Sequence, residues 1–234
     1  MVKEKRITKK QLREPDEFIT LTERALHFAE EHARKLMVGG IFLLVIILAV
    51  VFFQMWERKK EEEAAKAYGV ASEMFNRRII QSRDASPQDY KEILAKFEEV
   101  ATRFPRTSFG RFSLVYAGNI HLGQGEYDEA IKNFGAFLEK AGKESLYRYF
   151  AWDGMGHAYE GKKDYGKAIE AYQKILDIGK GFELDEARIN IGFCYDKLGK
   201  SKESVENFKT FLKDSPKSLL FNVVSWKVSL LEKL

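Results

Sequence analysis

Cysteine occurs once in the 234 residues, at Cys194, and proline only four times. A single thiol excludes an internal disulfide framework and a four-cysteine zinc site. So few prolines, with 17 glycines, exclude a collagen-like or proline-rich chain and favour helix. A charge imbalance is missing too. The 39 Lys+Arg stand against 35 Asp+Glu, a net charge of +4, which excludes a highly charged nucleic-acid tail as the dominant character. Signatures of chemistry are also lacking: there is no phosphate-binding Gly-x-x-x-x-Gly-Lys-Ser/Thr, no His-Glu-x-x-His and no Gly-x-Ser-x-Gly. His27 and His32 are five residues apart, a poor chelating spacing on a helix, and His121 falls on the core face of its helix. Gly179-Lys180-Gly181 reads as a connector, and Cys194 as a small packed side chain with no basic neighbour on its face. The chain therefore reads as a non-enzyme with no cofactor, no metal ligands and no nucleic-acid partner.

What is present begins with a long apolar run. Leu36 to Trp56 are 21 residues without a charge. At 1.5 Å of rise each they span roughly 31 Å, the thickness of a bilayer's hydrocarbon core. The run is longer than a signal-peptide core, and its downstream flank, FFQMWERKKEEE, holds no small-residue cleavage site. A transmembrane helix at 37–56 is expected, with Trp56 at an interface and Arg58, Lys59 and Lys60 beyond it. Gly39 and Gly40 have no small partner four residues on, so no Gly-x-x-x-Gly dimer face is present. Residues 1–36 form a short preceding segment with six basic residues in its first 13 (Lys3, Lys5, Arg6, Lys9, Lys10, Arg13). The bias fades nearer the run, so charge only leans toward a cytoplasmic N-terminus. After Pro15, Thr20 and Glu23 have capping-box spacing, and Phe18, Leu21, Ala25, Phe28 and His32 share a helix face. That face suits a membrane surface, a continuation into the span, or a partner helix.

Residues 57–234 repeat. AGNIHLGQGEYDEAIKNFGAFL, MGHAYEGKKDYGKAIEAYQKIL and IGFCYDKLGKSKESVENFKTFL start at Ala117, Met155 and Ile191. Gly118, Gly156 and Gly192 recur together with small residues (Ala130, Ala168, Ser204), aromatics (Phe134, Tyr172, Phe208) and then Phe137, Ile175 and Phe211. Each copy is two helices around a polar turn, and a single copy cannot bury its own apolar stripe. The fold class is all-α: copies at about 108–142, 147–180 and 184–216 stacked as a right-handed solenoid, a degenerate copy at 61–105 containing Tyr90, Ile93, Phe97 and Pro105, and a terminal helix at 217–234. That last helix is apolar nearly all round, which suits either burial on the last repeat or cover by a partner, including a second copy.

These residues resemble the tetratricopeptide repeat, W-x2-L-G-x2-Y followed by A-x3-F and P. The match is best at Trp152-x-x-Met155-Gly156-x-x-Tyr159 and ends at Pro216; His121 stands at the tyrosine position and Ser204 at the alanine. The family's 34-residue repeat is lengthened here by connectors. The resemblance implies a concave protein-binding surface lined by the first helix of each pair. Helical spacing places Phe112, Val115 and Asn119 there, then Phe150, Asp153 and His157, then Glu186, Ile189 and Phe193. Only Asn119 resembles the polar set with which some members clamp a carboxylate terminus, so apolar segments are the expected ligands.

The layout of a short basic segment, one span, a Lys/Glu-rich stretch and degenerate repeats resembles the ancillary SecYEG translocon subunit family. That implies a cytoplasmic N-terminus, repeats in the bacterial periplasm, and protein partners at the Sec translocon together with a membrane-bound chaperone. Two other readings share the layout: an assembly factor of an envelope complex, and an organelle import receptor with cytosolic repeats.

Overall fold

The computed structural model describes residues 17–82, 85–142, 147–178 and 182–233. The basic tip, Pro15 and the Gly179-Lys180-Gly181 connector lie outside the described residues. Helices make up nearly all of what is described, with no strand. The chain divides into two compact units, Met1–Glu57 and Arg58–Leu234.

The first unit holds α1 (Glu17–Glu31) and the start of α2 (Ala33–Phe75). Helix α1 begins three residues before Thr20, so Thr20 lies within the first turns and cannot be the N-cap that its spacing to Glu23 suggests. His32 stacks on Phe28 with ring centroids 4.5 Å apart, and its Nδ1 has no hydrogen-bond partner. Helix α2 is long and apolar enough to cross a membrane, and none of its most apolar stretch is buried by protein. The expected span at 37–56 is therefore one part of a longer helix: nothing in ERKKEEEAAKAY breaks helical geometry, so the helix continues where the apolar run stops.

In the second unit, residues 58–75 of α2 pair with α3 (Pro87–Arg103) through a π-helical turn, Asn76–Ile80. Ser86 and Asp89 form a reciprocal capping box with Pro87 in the first turn, which fixes the start of α3. Three complete pairs follow: α4 (Ser108–Gly123) with α5 (Tyr127–Lys140), α6 (Tyr147–Gly161) with α7 (Tyr165–Ile178), and α8 (Phe182–Lys197) with α9 (Ser201–Asp214). Helix α10 (Phe221–Leu231) packs on α9. It is shorter than the 217–234 expected, because Ser215 and Ser218 carbonyls accept turn hydrogen bonds that delay its start. The Glu61 carboxylate accepts the Ser108 N–H at 3.0 Å, so α2 supplies the anion at the start of α4.

Within each complete pair, a Cβ on Gly118, Gly156 or Gly192 would run into the ring of Phe134, Tyr172 or Phe208 respectively. The repeated glycine is thus the space into which the repeated aromatic folds. The rings of Phe134, Tyr172 and Phe208 are fully buried, with Phe137, Ile175 and Phe211 beside them. Ser204 keeps the small-residue role and adds a bond, its Oγ donating to the Gly192 carbonyl at 2.8 Å. Successive pairs share cores: Val115, Phe134, Phe137, Ala151 and Ala158 join α4, α5 and α6, while Tyr172, Ile175, Ala187 and Ile191 join α7 to α8. First helices touch the next first helix, α4 on α6 and α6 on α8, whereas second helices make no comparable contact with one another. The first helices therefore line the inner side of the stack.

Helix α10 buries Val224, Val228 and Leu231 with Phe208 and Phe211, and leaves Val223, Trp226 and Leu230 exposed, as is Leu219 in the turn before it. The expected burial on the last repeat is therefore seen on one face, and the other face is open. Lys227 turns back to Asp196 at 2.7 Å, so the exposed face is uncharged.

The turns supply a test. Gly125, Lys163 and Gly199 occupy the same repeat position and all have positive φ, which at Lys163 (62°) costs a β-carbon in the left-handed region. Lys163→Gly is expected to raise stability by about 0.5–1 kcal/mol. Gly156→Ala is expected to lower it by about 1–3 kcal/mol, because the Tyr172 ring must shift. Urea melts followed by circular dichroism separate the two, and equal effects of one sign would contradict this packing.

Candidate functional site

The inner face carries a run of aromatic rings. Phe112 on α4 lies 4.0 Å from Tyr147 on α6, centroid to centroid, and Tyr147 lies 6.2 Å from Phe150. Phe150 meets Tyr149 at 5.1 Å, and the Tyr149 hydroxyl donates to Glu186 on α8 at 2.9 Å. Tyr147 and Phe150 are 45% and 52% exposed, too much for rings whose only task is core packing. Further along, Phe193 is 36% exposed and sits edge-on to Phe208 at 5.2 Å. Asn119 is exposed and Phe112 half-buried.

Two of the nine residues expected on this face are not there. Val115 is 6% exposed and Ile189 7%, each within a core cluster, so neither can touch a partner. These positions pack into clusters shared with neighbouring helices, a contact that a one-helix wheel cannot show.

Next to the rings is a polar cluster joining three helices. Nε2 of His157 lies 3.6 Å from an Asp153 oxygen, and its Nδ1 lies 3.1 Å from Glu160 and 3.0 Å from the Tyr172 hydroxyl. The Cys194 thiol donates to Glu160 at 3.1 Å. Burial pushes the Asp153 carboxyl up to about 6, aided by the charges of Glu186 and Glu160 and opposed by His157. The hydrogen bond to Glu160, and then the charge of Asp153, raise His157 against its burial. Burial alone would raise Glu160, but hydrogen bonds from His157 and Cys194 hold it below its ordinary value. Burial pushes the Cys194 thiol up, and its partner is a carboxylate, so it is a packed thiol without nucleophilic character. Among the described residues no three His, Cys, Asp or Glu converge in a way that could hold a metal ion. What the cluster offers is negative charge and hydrogen-bond acceptors beside exposed rings.

Sequence reasoning missed Tyr147 and Tyr149, although Tyr147 stands three residues before Phe150 on the same helix face. It also missed Glu160, whose partners come from three helices and leave no spacing signal.

Comparison with known proteins places this arrangement. A family profile described as a tetratricopeptide repeat-like domain matches residues 27–150, and tetratricopeptide repeat profiles match 151–178 and 186–218. The chain belongs to the tetratricopeptide repeat-like family. Similar solved structures include a MamA protein (15% identity, TM-score 0.57, covering 72% of this chain and 82% of that one). MamA 41-end from Desulfovibrio magneticus RS-1 is 22% identical, with TM-score 0.52 over 70% of this chain and 82% of that one. The apo form of RapI is 15% identical, with TM-score 0.56 over 73% of this chain and 63% of that one. These likenesses concern the fold. No curated protein matches the sequence significantly.

A pH series tests the cluster. Asp153 binds its proton more tightly when folded than the roughly 3.9 of an unfolded aspartate, so its ionisation removes stability as pH rises from about 4 through 6. Asp153→Asn is therefore expected to raise the melting temperature at pH 7.5, with a gain that shrinks toward pH 4. A lower melting temperature at pH 7.5 would show that the carboxylate is structurally required.

Proposed function

We propose that the chain is a membrane-anchored scaffold that holds protein segments on the inner face of its repeats. In this reading α2 crosses the bacterial inner membrane with the N-terminus in the cytoplasm and the repeats in the periplasm. There it serves as an ancillary partner of the Sec translocon and of a membrane-bound chaperone. The observation that carries the anchored reading is the extent of the family match. It begins at residue 27 and runs through the whole apolar stretch into α6, which supports reading that stretch and the repeats as one unit of architecture. Exposed rings at Phe150 and Phe193 support capture of apolar segments. The mechanism is tethering: confinement to the membrane raises the effective concentration of the inner face near emerging chains. The uncharged exposed face of α10 favours a second reading, an assembly factor of an envelope complex that works through contacts of its terminal helix.

Carbonate-washed membranes should retain the protein, and a C-terminal alkaline phosphatase fusion should be active while a fluorescent-protein fusion at the same site stays dark. A cytoplasmic C-terminus would overturn the topology and leave the import-receptor layout. For the inner face, Phe150→Ala with Phe193→Ala should lower crosslinked partner yield about 5- to 30-fold. Helicity and melting temperature should hardly change; a matching loss of fold would make both rings structural.

A further inference from the structure

The inner face gathers three carboxylates against a single histidine. Among the described residues, no lysine or arginine forms an ion pair with Asp153, Glu160 or Glu186; the one cationic neighbour is His157. The arginines of the lining helices are committed elsewhere. Arg111 donates to the Arg106 carbonyl, Arg148 to the Leu138 carbonyl, and Arg188 pairs with Asp214. One oxygen of Asp153, Oδ1, is buried without any hydrogen-bond partner. The Asp153 side chain keeps 22% of its surface open, on the same helix face as Phe150 three residues before it.

We propose that the segment bound on this face carries an arginine or lysine between apolar residues. Its cation sits at Asp153 and Glu186, and its apolar neighbours lie on Phe112, Tyr147 and Phe150. The inference rests on the scaffold reading above and adds the chemistry of the partner. Three observations select a cation. An acidic segment or a free carboxylate terminus would meet three carboxylates and be repelled. A wholly apolar segment would cover Asp153 and desolvate it further, with His157 as its one cationic partner. A guanidinium's planar fork suits two carboxylate acceptors on neighbouring helices, the open part of Asp153 on α6 and Glu186 on α8. The rings then act twice: they bury the apolar neighbours, and Phe150 and Tyr149 offer aromatic faces beside the cation. Glu186 is prepared for this role because the Tyr149 hydroxyl already fixes its carboxylate across the gap between α6 and α8.

The test uses the full-length protein in detergent micelles and three pools of fluorescein-labelled ten-residue peptides, read by fluorescence anisotropy. Each pool fixes two phenylalanines around a central residue, which is arginine, citrulline or glutamate. The arginine pool is expected to bind about 10- to 100-fold more tightly than the citrulline pool, with the glutamate pool weakest. Asp153→Asn should abolish the preference for arginine over citrulline while its melting temperature holds or rises, which separates lost recognition from lost fold. Phe150→Ala should weaken both pools alike. Equal binding of arginine and citrulline, lost in Phe150→Ala, would overturn the cation and leave the scaffold reading intact. An arginine preference that survives both Asp153→Asn and Glu186→Gln would overturn its placement. Absence of binding to every pool would overturn the inference. If Phe150→Ala with Phe193→Ala also left crosslinked partner yield unchanged, the assignment of the inner face would fall with it.

Discussion

In each complete helix pair an aromatic ring of the second helix lies where the Cβ of a first-helix residue would otherwise be. Gly118 receives Phe134, Gly156 receives Tyr172 and Gly192 receives Phe208. This one steric condition sets how closely the two helices approach. It also buries the largest side chains completely and explains why glycine is tolerated in mid-helix, where it loses about 0.8–1 kcal/mol to alanine by propensity. Phe134 does more, because a Cβ on Gly154 of the following repeat would also meet its ring. One side chain thereby couples two repeats, which is how a stack with only nearest-neighbour contacts becomes a cooperative unit. The inner face depends on that coupling. Rings on α4 and α6 can form one continuous run only if the spacing between successive first helices is fixed.

The spacing of these glycines and aromatics made the helix pairs legible before any coordinates, because the pattern that packs a repeat is local and recurs at a readable period. The start of α3 could be read in part from Ser86, Pro87 and Asp89, since caps are also local chemistry. Legibility failed where the answer depends on packing between neighbours. Val115 and Ile189 hold the repeat position of Asp153, yet they are buried in core clusters shared with neighbouring helices. It failed again for Glu160, which gathers His157, Cys194 and Tyr172 from α6, α7 and α8, and for Thr20, whose cap spacing is overridden because helix geometry begins earlier at Glu17.

The polar cluster is the place where this fold departs from its own logic. Other buried polar groups vary: His121 meets Glu126 at 2.6 Å and Thr107 accepts from Gly110 and donates to Phe104, whereas His32 Nδ1, Trp152 Nε1 and Asn190 Nδ2, like Asp153 Oδ1, have no hydrogen-bond partner. At Asp153 a carboxylate is held in poor solvation near two others, an arrangement that weakens the folded state at neutral pH. The same repeat position holds valine at 115 and isoleucine at 189, both buried in their core clusters. A poorly solvated carboxylate set beside half-exposed rings on the inner side of a repeat stack suits a surface that is completed by another molecule. Part of that cost is recovered when a cation pairs with the open part of the carboxylate. The same reasoning separates this face from the exposed side of α10. There no polar group is strained, so burial of Trp226 and Leu230 would add apolar contact without selecting the chemistry of what covers them.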